Sequence, residues 1–202
     1  LYSKPSLDLN RMSTGMPFAE YRALSEDPFR PLIDKTIYET YFPGSTFKPI
    51  TSLAALGDHL VDPNATVECL GRLEIGAQRM RCTKVHGYVD MHRAMVQSCN
   101  VYFWHIAEQI GLDRLNRYAT AFGLGERTGI GINSEARGFL ATRAWYEENY
   151  GRYRMGYTLN TSIGQGNTRV TLVQLALAYA AMANGGTLYA PQLIERIETP
   201  DG

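Results

Sequence analysis

The chain has 202 residues, of which 45% are hydrophobic and 20% are charged, a composition typical of a folded globular domain. Twenty basic residues balance twenty acidic ones, so the formal charge of zero offers no electrostatic basis for binding nucleic acid or an anionic membrane surface. The sequence has no apolar run of the roughly 20 residues that a membrane-spanning helix requires, and no signal-peptide pattern. We therefore expect no nucleic-acid partner.

The region before residue 42 carries turn signals and little periodicity. Pro28 and Pro31 limit it to one short helix between Tyr21 and Pro31. We find no residues with a chemical role here.

The most informative stretch, Pro-Gly-Ser-Thr-Phe-Lys-Pro, occupies residues 43–49 and leads into an apolar helical run at 50–56. Gly44 permits a sharp turn, Ser45 is a residue type favoured at a helix start, and Lys48 lies one turn further on the same face. A serine becomes a nucleophile when a neighbouring base takes its proton, and a lysine of lowered pKa can be that base. A capping serine beside a solvated lysine would give the same pattern, so both interpretations stay open at this point.

Residues 65–82 predict a β-hairpin. Leu73 and Ile75 alternate with charged residues, and the turn falls at Gly76. This fold would bring Cys69 and Cys82 near each other.

All three cysteines and one histidine lie between positions 69 and 99, namely Cys69, Cys82, His86 and Cys99. Three interpretations are open. The four side chains can bind a structural zinc ion through three thiolates and one imidazole. Alternatively, Cys69 and Cys82 form a disulfide in an oxidising compartment, or the cysteines are unrelated small hydrophobic residues.

Ser98-Cys99-Asn100 follows a short amphipathic run at 89–97. Zinc bound through Cys99 would connect the hairpin to this loop and hold Ser98 and Asn100 from behind. The metal would then have a structural role and no catalytic one.

Helical periodicity continues in three segments, Asn100 to Ile110, Asp113 to Phe122 and Thr171 to Asn184, the last stopped by Gly185-Gly186. In the last segment the pattern predicts a core-facing stripe made of Leu172, Leu175, Ala176, Tyr179 and Met182.

Three further segments lack that periodicity. Glycines at 128–138 predict a loop, and the charged and aromatic residues at 145–153 predict a surface segment. Thr187 to Ile197 predicts an extended strand, with a turn at 199–202.

Five segments, taken in order over nearly the whole chain, resemble the transpeptidase domain of penicillin-binding proteins, in particular those of class B and the elongation type. They are PGSTFKP at 43–49, SCN at 98–100, TGIGI at 128–132, SIGQGN at 162–167 and QLALAYAAMANGG at 174–186.

The resemblance implies an α/β, serine transpeptidase/β-lactamase-like fold, with a helical subdomain and part of an antiparallel sheet, and one partial domain over residues 1–202. The family's third motif, Lys-Thr-Gly or Lys-Ser-Gly, does not follow Asn100 in this sequence. We therefore expect a C-terminally incomplete fragment that lacks the strand with that motif and is impaired when isolated.

Carried over residue by residue, the resemblance makes Ser45 the nucleophile and Lys48 the base that accepts its proton. Ser98 would relay a proton to the leaving nitrogen, and Asn100 would orient the peptide amide and Lys48. The implied substrates are peptidoglycan stem peptides ending in D-alanyl-D-alanine, with penicillins and other β-lactams acylating the same serine.

The resemblance also implies a partner and a location. The partner is a membrane-embedded glycosyltransferase of the elongation machinery, and the location is the periplasmic face of the bacterial inner membrane, with an N-terminal anchor absent from this chain. Catalysis would need no cofactor. Two other functions stay open, a serine β-lactamase and a non-catalytic β-lactam sensor or scaffold.

Overall fold

The computed structural model describes residues 1–76 and 78–196. Over these residues the chain forms helices that surround short antiparallel strand pairs. The α-helices are α1 Leu9–Ser13, α2 Phe18–Glu26, α3 Lys48–Gly57, α4 Met91–Val96, α5 Asn100–Ile110, α6 Leu112–Ala121, α7 Arg143–Tyr150, α8 Met155–Ser162 and α9 Leu172–Ala183. A 3-10 turn spans Gly44–Phe47, and the strands are β1 Val67–Cys69, β2 Arg72–Ile75, β3 Gln78–Arg81, β4 Gly87–Val89, β5 Phe139–Leu140 and β6 Thr168–Arg169.

The strands form three antiparallel pairs, β1 with β4, β2 with β3 and β5 with β6. In the predicted hairpin Arg72 lies opposite Arg81, and the chain reverses beside Gly76, whose φ of 54° is a conformation that glycine adopts without steric cost. Helices and antiparallel strands therefore combine as the predicted fold class requires.

Helix α5 is the centre of the core. Tyr102, Phe103, Trp104 and Ile106 are all buried, so the helix is apolar around most of its circumference. It packs against α3, α8 and β1. Burying such side chains contributes about 1.5–3 kcal/mol each, which fixes the position of the Asn100 end of the helix.

Helix α9 begins and ends as predicted. The Thr171 and Gln174 side chains form a capping box at its start, and Gly185 and Gly186 follow its end. The predicted core stripe is correct only in part. Leu175 and Met182 pack against the core, but Ala176 and Tyr179 are exposed. The fully buried residues are Val173, Gln174, Ala178 and Ala181. The helix is apolar on nearly every side, so the sequence pattern does not select the face that packs.

Two other segments have a secondary structure that the sequence did not predict. Residues 145–153 are mostly exposed, as expected of a surface segment, but they belong largely to α7, a helix in which buried Tyr146 stacks on Tyr157 with ring centroids 4.0 Å apart. Residues 187–196, the described part of the predicted strand, contain no strand, and a strand needs a hydrogen-bonded neighbour. Ile197 and the predicted turn at 199–202 lie outside the described residues.

Across the described ranges, no helix combines the length and apolar character needed to cross a membrane.

Candidate active site

The proposed nucleophile, Ser45, lies in the 3-10 turn rather than at a helix cap. Helix α3 starts at Lys48 with Phe47 as its N-cap residue, and no side chain caps it. The hydroxyl of Ser45 instead accepts a hydrogen bond from the Ser98 hydroxyl, with 2.9 Å between the oxygens. The capping interpretation of this serine is therefore wrong.

The 162–167 segment holds the turn from one side. The Gly44 N–H donates to the Gly164 carbonyl at 2.8 Å, and the Thr51 hydroxyl donates to the Ser162 carbonyl at the same distance. Gly164 has a φ of 65°, and a Cβ there would overlap the backbone of Gly44. This close approach explains why a glycine occupies the position.

Lys48 is buried, with 1% of its surface exposed, and its ammonium group is fully engaged. Nζ donates to the Ser98 carbonyl at 2.8 Å, the Ser98 hydroxyl at 2.9 Å and Asn100 Oδ1 at 2.7 Å. Burial lowers the pKa of Lys48 to about 8, although negative charge on Cys82 or Cys99 would raise it. At neutral pH a fraction of this lysine is thus available as a base.

Ser98 connects the lysine to the nucleophile. Its hydroxyl accepts from Lys48 and donates to Ser45, so the hydrogen-bonded route between those two side chains passes through Ser98. The role of Lys48 as the acceptor of the Ser45 proton stays a prediction, and these hydrogen bonds give the proton a path through Ser98. Ser98 has a φ of 54°, a left-handed conformation that is costly for serine and that aims both its carbonyl and its hydroxyl at Lys48.

The second cluster brings together the four predicted metal ligands. The ligand atoms of Cys69, Cys82, His86 and Cys99 all lie within 4.8 Å of one another. His86 Nδ1 is 3.3 Å from Cys69 Sγ and 3.6 Å from Cys82 Sγ. All three cysteines are free thiols, so the Cys69 to Cys82 disulfide is not formed in this structure.

The two clusters share the loop before α5. Ser98 and Asn100 contact Lys48, while Cys99 between them joins the cysteine cluster. The Asn100 backbone N–H donates to Cys82 Sγ at 3.2 Å. Burial raises the pKa of the Cys99 thiol to about 12.

Sequence reasoning missed two contacts of the nucleophile turn. Besides the Gly164 carbonyl, the Tyr179 hydroxyl bonds to the turn by donating to the Thr46 carbonyl at 2.9 Å. Tyr179 is 41% exposed, not a core residue. Both residues lie in segments that carry the family resemblance, but nothing in their spacing indicates contact with Ser45.

Comparison with known proteins identifies the family of the chain. The penicillin binding protein transpeptidase domain family matches residues 1–201. The chain is 33% identical over 199 residues to peptidoglycan D,D-transpeptidase MrdA of Acinetobacter baumannii, covering 96% of this chain and 30% of that protein. It is 34% identical over 203 residues to MrdA of Haemophilus influenzae, covering 98% and 31%. The chain thus spans about a third of the length of these relatives.

Several solved structures superpose closely on the structure of this chain. Pseudomonas aeruginosa PBP2 in complex with WCK 5153 superposes with a TM-score of 0.91 at 32% identity, covering 96% of this chain and 44% of that one. Helicobacter pylori PBP2 in complex with MreC gives 0.91 at 27% identity (98% and 38%), and a chain of a peptidoglycan synthase complex gives 0.85 at 35% identity (96% and 34%). The chain therefore belongs to the penicillin-binding protein transpeptidase domain family, and its similarity within that family is to the class B protein PBP2.

Proposed function

We propose that the full-length protein is a peptidoglycan D,D-transpeptidase that cross-links the cell wall during elongation, and that residues 1–202 form part of its transpeptidase domain. The single observation that carries this proposal is the hydrogen-bonded chain from buried Lys48 through Ser98 to Ser45. This chain supplies a lysine of lowered pKa that can act as a base, and a relay from it to a serine nucleophile, as acyl transfer requires. The D,D-transpeptidase names of the relatives support the same reaction.

In the acylation step, Ser45 Oγ attacks the carbonyl carbon of the penultimate D-alanine. The Ser45 proton passes to the Ser98 hydroxyl, whose own proton passes to neutral Lys48 Nζ. The tetrahedral intermediate then collapses, the C–N bond breaks, and the proton returns from Lys48 through Ser98 to the leaving nitrogen. D-alanine departs and the stem peptide remains as an ester on Ser45. A β-lactam reacts in the same way, except that its leaving nitrogen stays attached through the opened ring.

In the second step, the amine of a neighbouring stem peptide attacks the ester carbonyl. It loses a proton to Lys48, the Ser45 oxygen leaves and regains a proton through Ser98, and a peptide cross-link forms. Asn100 holds Lys48 and orients the peptide amide. The Ser45 N–H supplies one oxyanion donor, each such donor being worth roughly 10²–10³ in turnover. The second donor and the Lys-Thr-Gly motif would belong to a further part of the domain.

The proposed partner is a membrane-embedded glycosyltransferase of the elongation machinery. Similarity to a chain of a complex that coordinates peptidoglycan polymerisation and crosslinking supports it. The site would then face the periplasm, held at the inner membrane by an N-terminal segment outside residues 1–202. Stem peptides and β-lactams would reach Ser45 from that compartment.

We also propose that Cys69, Cys82, His86 and Cys99 bind one structural zinc ion. A tetrahedral zinc with Zn–S bonds of about 2.3 Å needs ligand atoms roughly 3.8 Å apart. The separations here, all within 4.8 Å, are compatible with that requirement, and the donor set suits zinc. When bound, the ion would crosslink the β-hairpin to the loop of Ser98 and Asn100.

Acylation at Ser45 is the first test of the proposed function. We expect the intact mass of the full-length protein to increase by one penicillin, and Ser45→Ala to remain unmodified. Ser52→Ala is the matched control, because Ser52 is a buried serine on α3 whose hydroxyl has no partner among the described residues. An adduct that survives Ser45→Ala would refute the assignment.

The penicillin adduct of the full-length protein also distinguishes a transpeptidase from the two other functions. Rapid hydrolytic release of the penicillin would indicate a β-lactamase. A stable adduct without cross-linking of supplied donor and acceptor peptides would indicate a sensor or scaffold.

Metal analysis tests the zinc proposal. We expect one equivalent of zinc per chain in protein purified without chelators. Protein with no metal and a mass two hydrogen masses low, about 2 Da, would support a disulfide instead.

A further inference from the structure

We propose that Tyr179 is a positioning residue for the nucleophile, and that its hydroxyl replaces a backbone donor that Pro49 removes from the turn carrying Ser45. This inference rests on the proposed acyl-transfer function and names a residue that the mechanism above does not use.

The argument starts from the backbone of the nucleophile turn. In a 3-10 turn each carbonyl accepts a hydrogen bond from the N–H three residues later. The Ser45 carbonyl does so from the Lys48 N–H. The next carbonyl, that of Thr46, would need a donor at position 49, and proline has no N–H.

The following α-helix does not supply that donor. Helix α3 has Phe47 as its N-cap residue, and the carbonyl of an N-cap residue is the first to accept an i to i+4 bond. The Thr46 carbonyl thus lies between the last acceptor of the 3-10 turn and the first acceptor of the helix. A carbonyl at such a junction requires a partner from elsewhere or from solvent.

Tyr179 provides the partner from a distant part of the chain. Its hydroxyl donates to the Thr46 carbonyl at 2.9 Å, across 133 positions of sequence. The side chain of Thr46 is engaged elsewhere, because its hydroxyl donates to the Pro43 carbonyl at 2.6 Å. Helix α9 presents the phenol from a fixed position, since Ala178 and Ala181 on the same helix are buried.

The turn is therefore anchored on both sides of Ser45. Before it, the Gly44 N–H donates to the Gly164 carbonyl; after it, the Thr46 carbonyl accepts from Tyr179. Displacement of the peptide between Thr46 and Phe47, which carries that carbonyl, would shift the backbone after Ser45 and move the hydroxyl of Ser45 away from Ser98. Small displacements of reacting groups are costly, a shift of about 1 Å reducing rates by roughly a hundredfold.

The test is Tyr179→Phe in the full-length protein, which removes only the hydroxyl. Stopped-flow acylation by a fluorescent penicillin separates non-covalent binding from the acylation rate constant. We expect the acylation rate constant to fall about 3- to 10-fold, the loss typical of one hydrogen bond. Non-covalent affinity should stay within about twofold, because the side chain would act on the reacting serine and not on ligand binding.

Tyr118→Phe is the matched control. Tyr118 also donates its hydroxyl, at 3.0 Å, but to Asp58, which lies outside the site. We expect this variant to keep the wild-type acylation rate constant.

Pro49→Ala tests whether the Tyr179 hydroxyl replaces the backbone N–H that is missing at position 49. It restores an N–H at position 49, so in that background Tyr179→Phe should reduce acylation less than twofold. Equal losses in both backgrounds, or a Tyr179→Phe protein with wild-type acylation, would overturn the inference while leaving the proposed function intact. A wild-type protein that is not acylated at Ser45 would overturn both.

Discussion

The two clusters at the start of helix α5 differ in how complete they are. Around Lys48, every hydrogen of the ammonium group has an acceptor, and Ser98 connects it to Ser45. Around Cys99, soft donor atoms converge within 4.8 Å and contact one another. The first cluster is satisfied by its own hydrogen bonds, whereas the second is arranged as donors around a common point.

The comparison shows that one loop, residues 98–100, contributes side chains to both clusters. Successive side chains at 98, 99 and 100 alternate between the clusters, so the backbone that aims Ser98 and Asn100 is fixed by what Cys99 and Cys82 contact. The lysine cluster is therefore expected to depend on the cysteine cluster for its precision, and the cysteine cluster should not depend on Lys48. The predictions below test that asymmetry.

The largest effect is expected for Lys48→Met, which removes the base and leaves the cysteines in place. Acylation of the full-length protein should fall roughly 10²- to 10⁴-fold, the usual contribution of general base catalysis. The thermal midpoint should change little, because relief of the desolvation of a buried ammonium group is offset by the loss of the donor to the Ser98 carbonyl and Asn100 Oδ1. Zinc content, measured in parallel, should stay at the wild-type value.

Lys35→Met is the control for loss of a lysine, since Lys35 Nζ donates to the backbone carbonyls of Lys4 and Arg30, outside the site. If the Lys48→Met protein is acylated at a rate within tenfold of the wild-type rate, the proposed role of Lys48 as the base is contradicted.

Next comes Cys69→Ser, which breaks the other cluster. Loss of one thiolate should abolish zinc binding and reduce the free energy of unfolding by ~2 kcal/mol or more, since the metal-binding energy that stabilises the folded state is lost. Acylation should also fall, by about tenfold, because the loop of Ser98 loses its support. Metal analysis, denaturant unfolding and acylation kinetics check the three effects.

His92→Ala is the control for that variant, because His92 is exposed on α4 outside the cluster. A Cys69→Ser protein that keeps a full equivalent of zinc would refute the ligand assignment.

A smaller effect is expected for Gly164→Ala, which disturbs the nucleophile turn without touching a donor side chain. The new methyl group would overlap the Gly44 backbone, so we expect a loss of about 1–3 kcal/mol in the free energy of unfolding. Gly151→Ala is the control, because Gly151 has a similar φ of 73° but open space around it. If denaturant unfolding shows the same loss of stability for both variants, the close packing of Gly164 against the Gly44 backbone does not contribute to the difference.

A change of pH tests Lys48 without replacing any side chain. Only the neutral form of Lys48 accepts a proton, and that form is gained as pH rises through its pKa of about 8. The acylation rate should therefore rise about tenfold per pH unit below pH 7 and level off above pH 9. Stopped-flow acylation between pH 6 and 9.5 measures this, and a flat profile would show that Lys48 is not the base.

Much of the fold could be predicted because it is encoded locally. Helices α5 and α6 appear at the predicted segments, and the hairpin turns beside Gly76, since periodicity and turn residues act over a few positions. The predicted face of α9 was correct only for Leu175 and Met182, because nearly all side chains of this helix are apolar and the pattern does not select one face. The predicted strand at 187–196 was wrong because strand formation depends on a neighbour that local sequence does not reveal.

The candidate site divides in the same way. Ser45 and Lys48 are three residues apart, and the four metal-ligand candidates fall in one short window, so the sequence by itself determined which chemistry was available. Only the tertiary structure decided that Ser98 stands between Lys48 and Ser45, and that Gly164 and Tyr179 hold the turn. These contacts join positions 50 to 133 residues apart, and their distances follow from how the helices pack around α5, which no local pattern records.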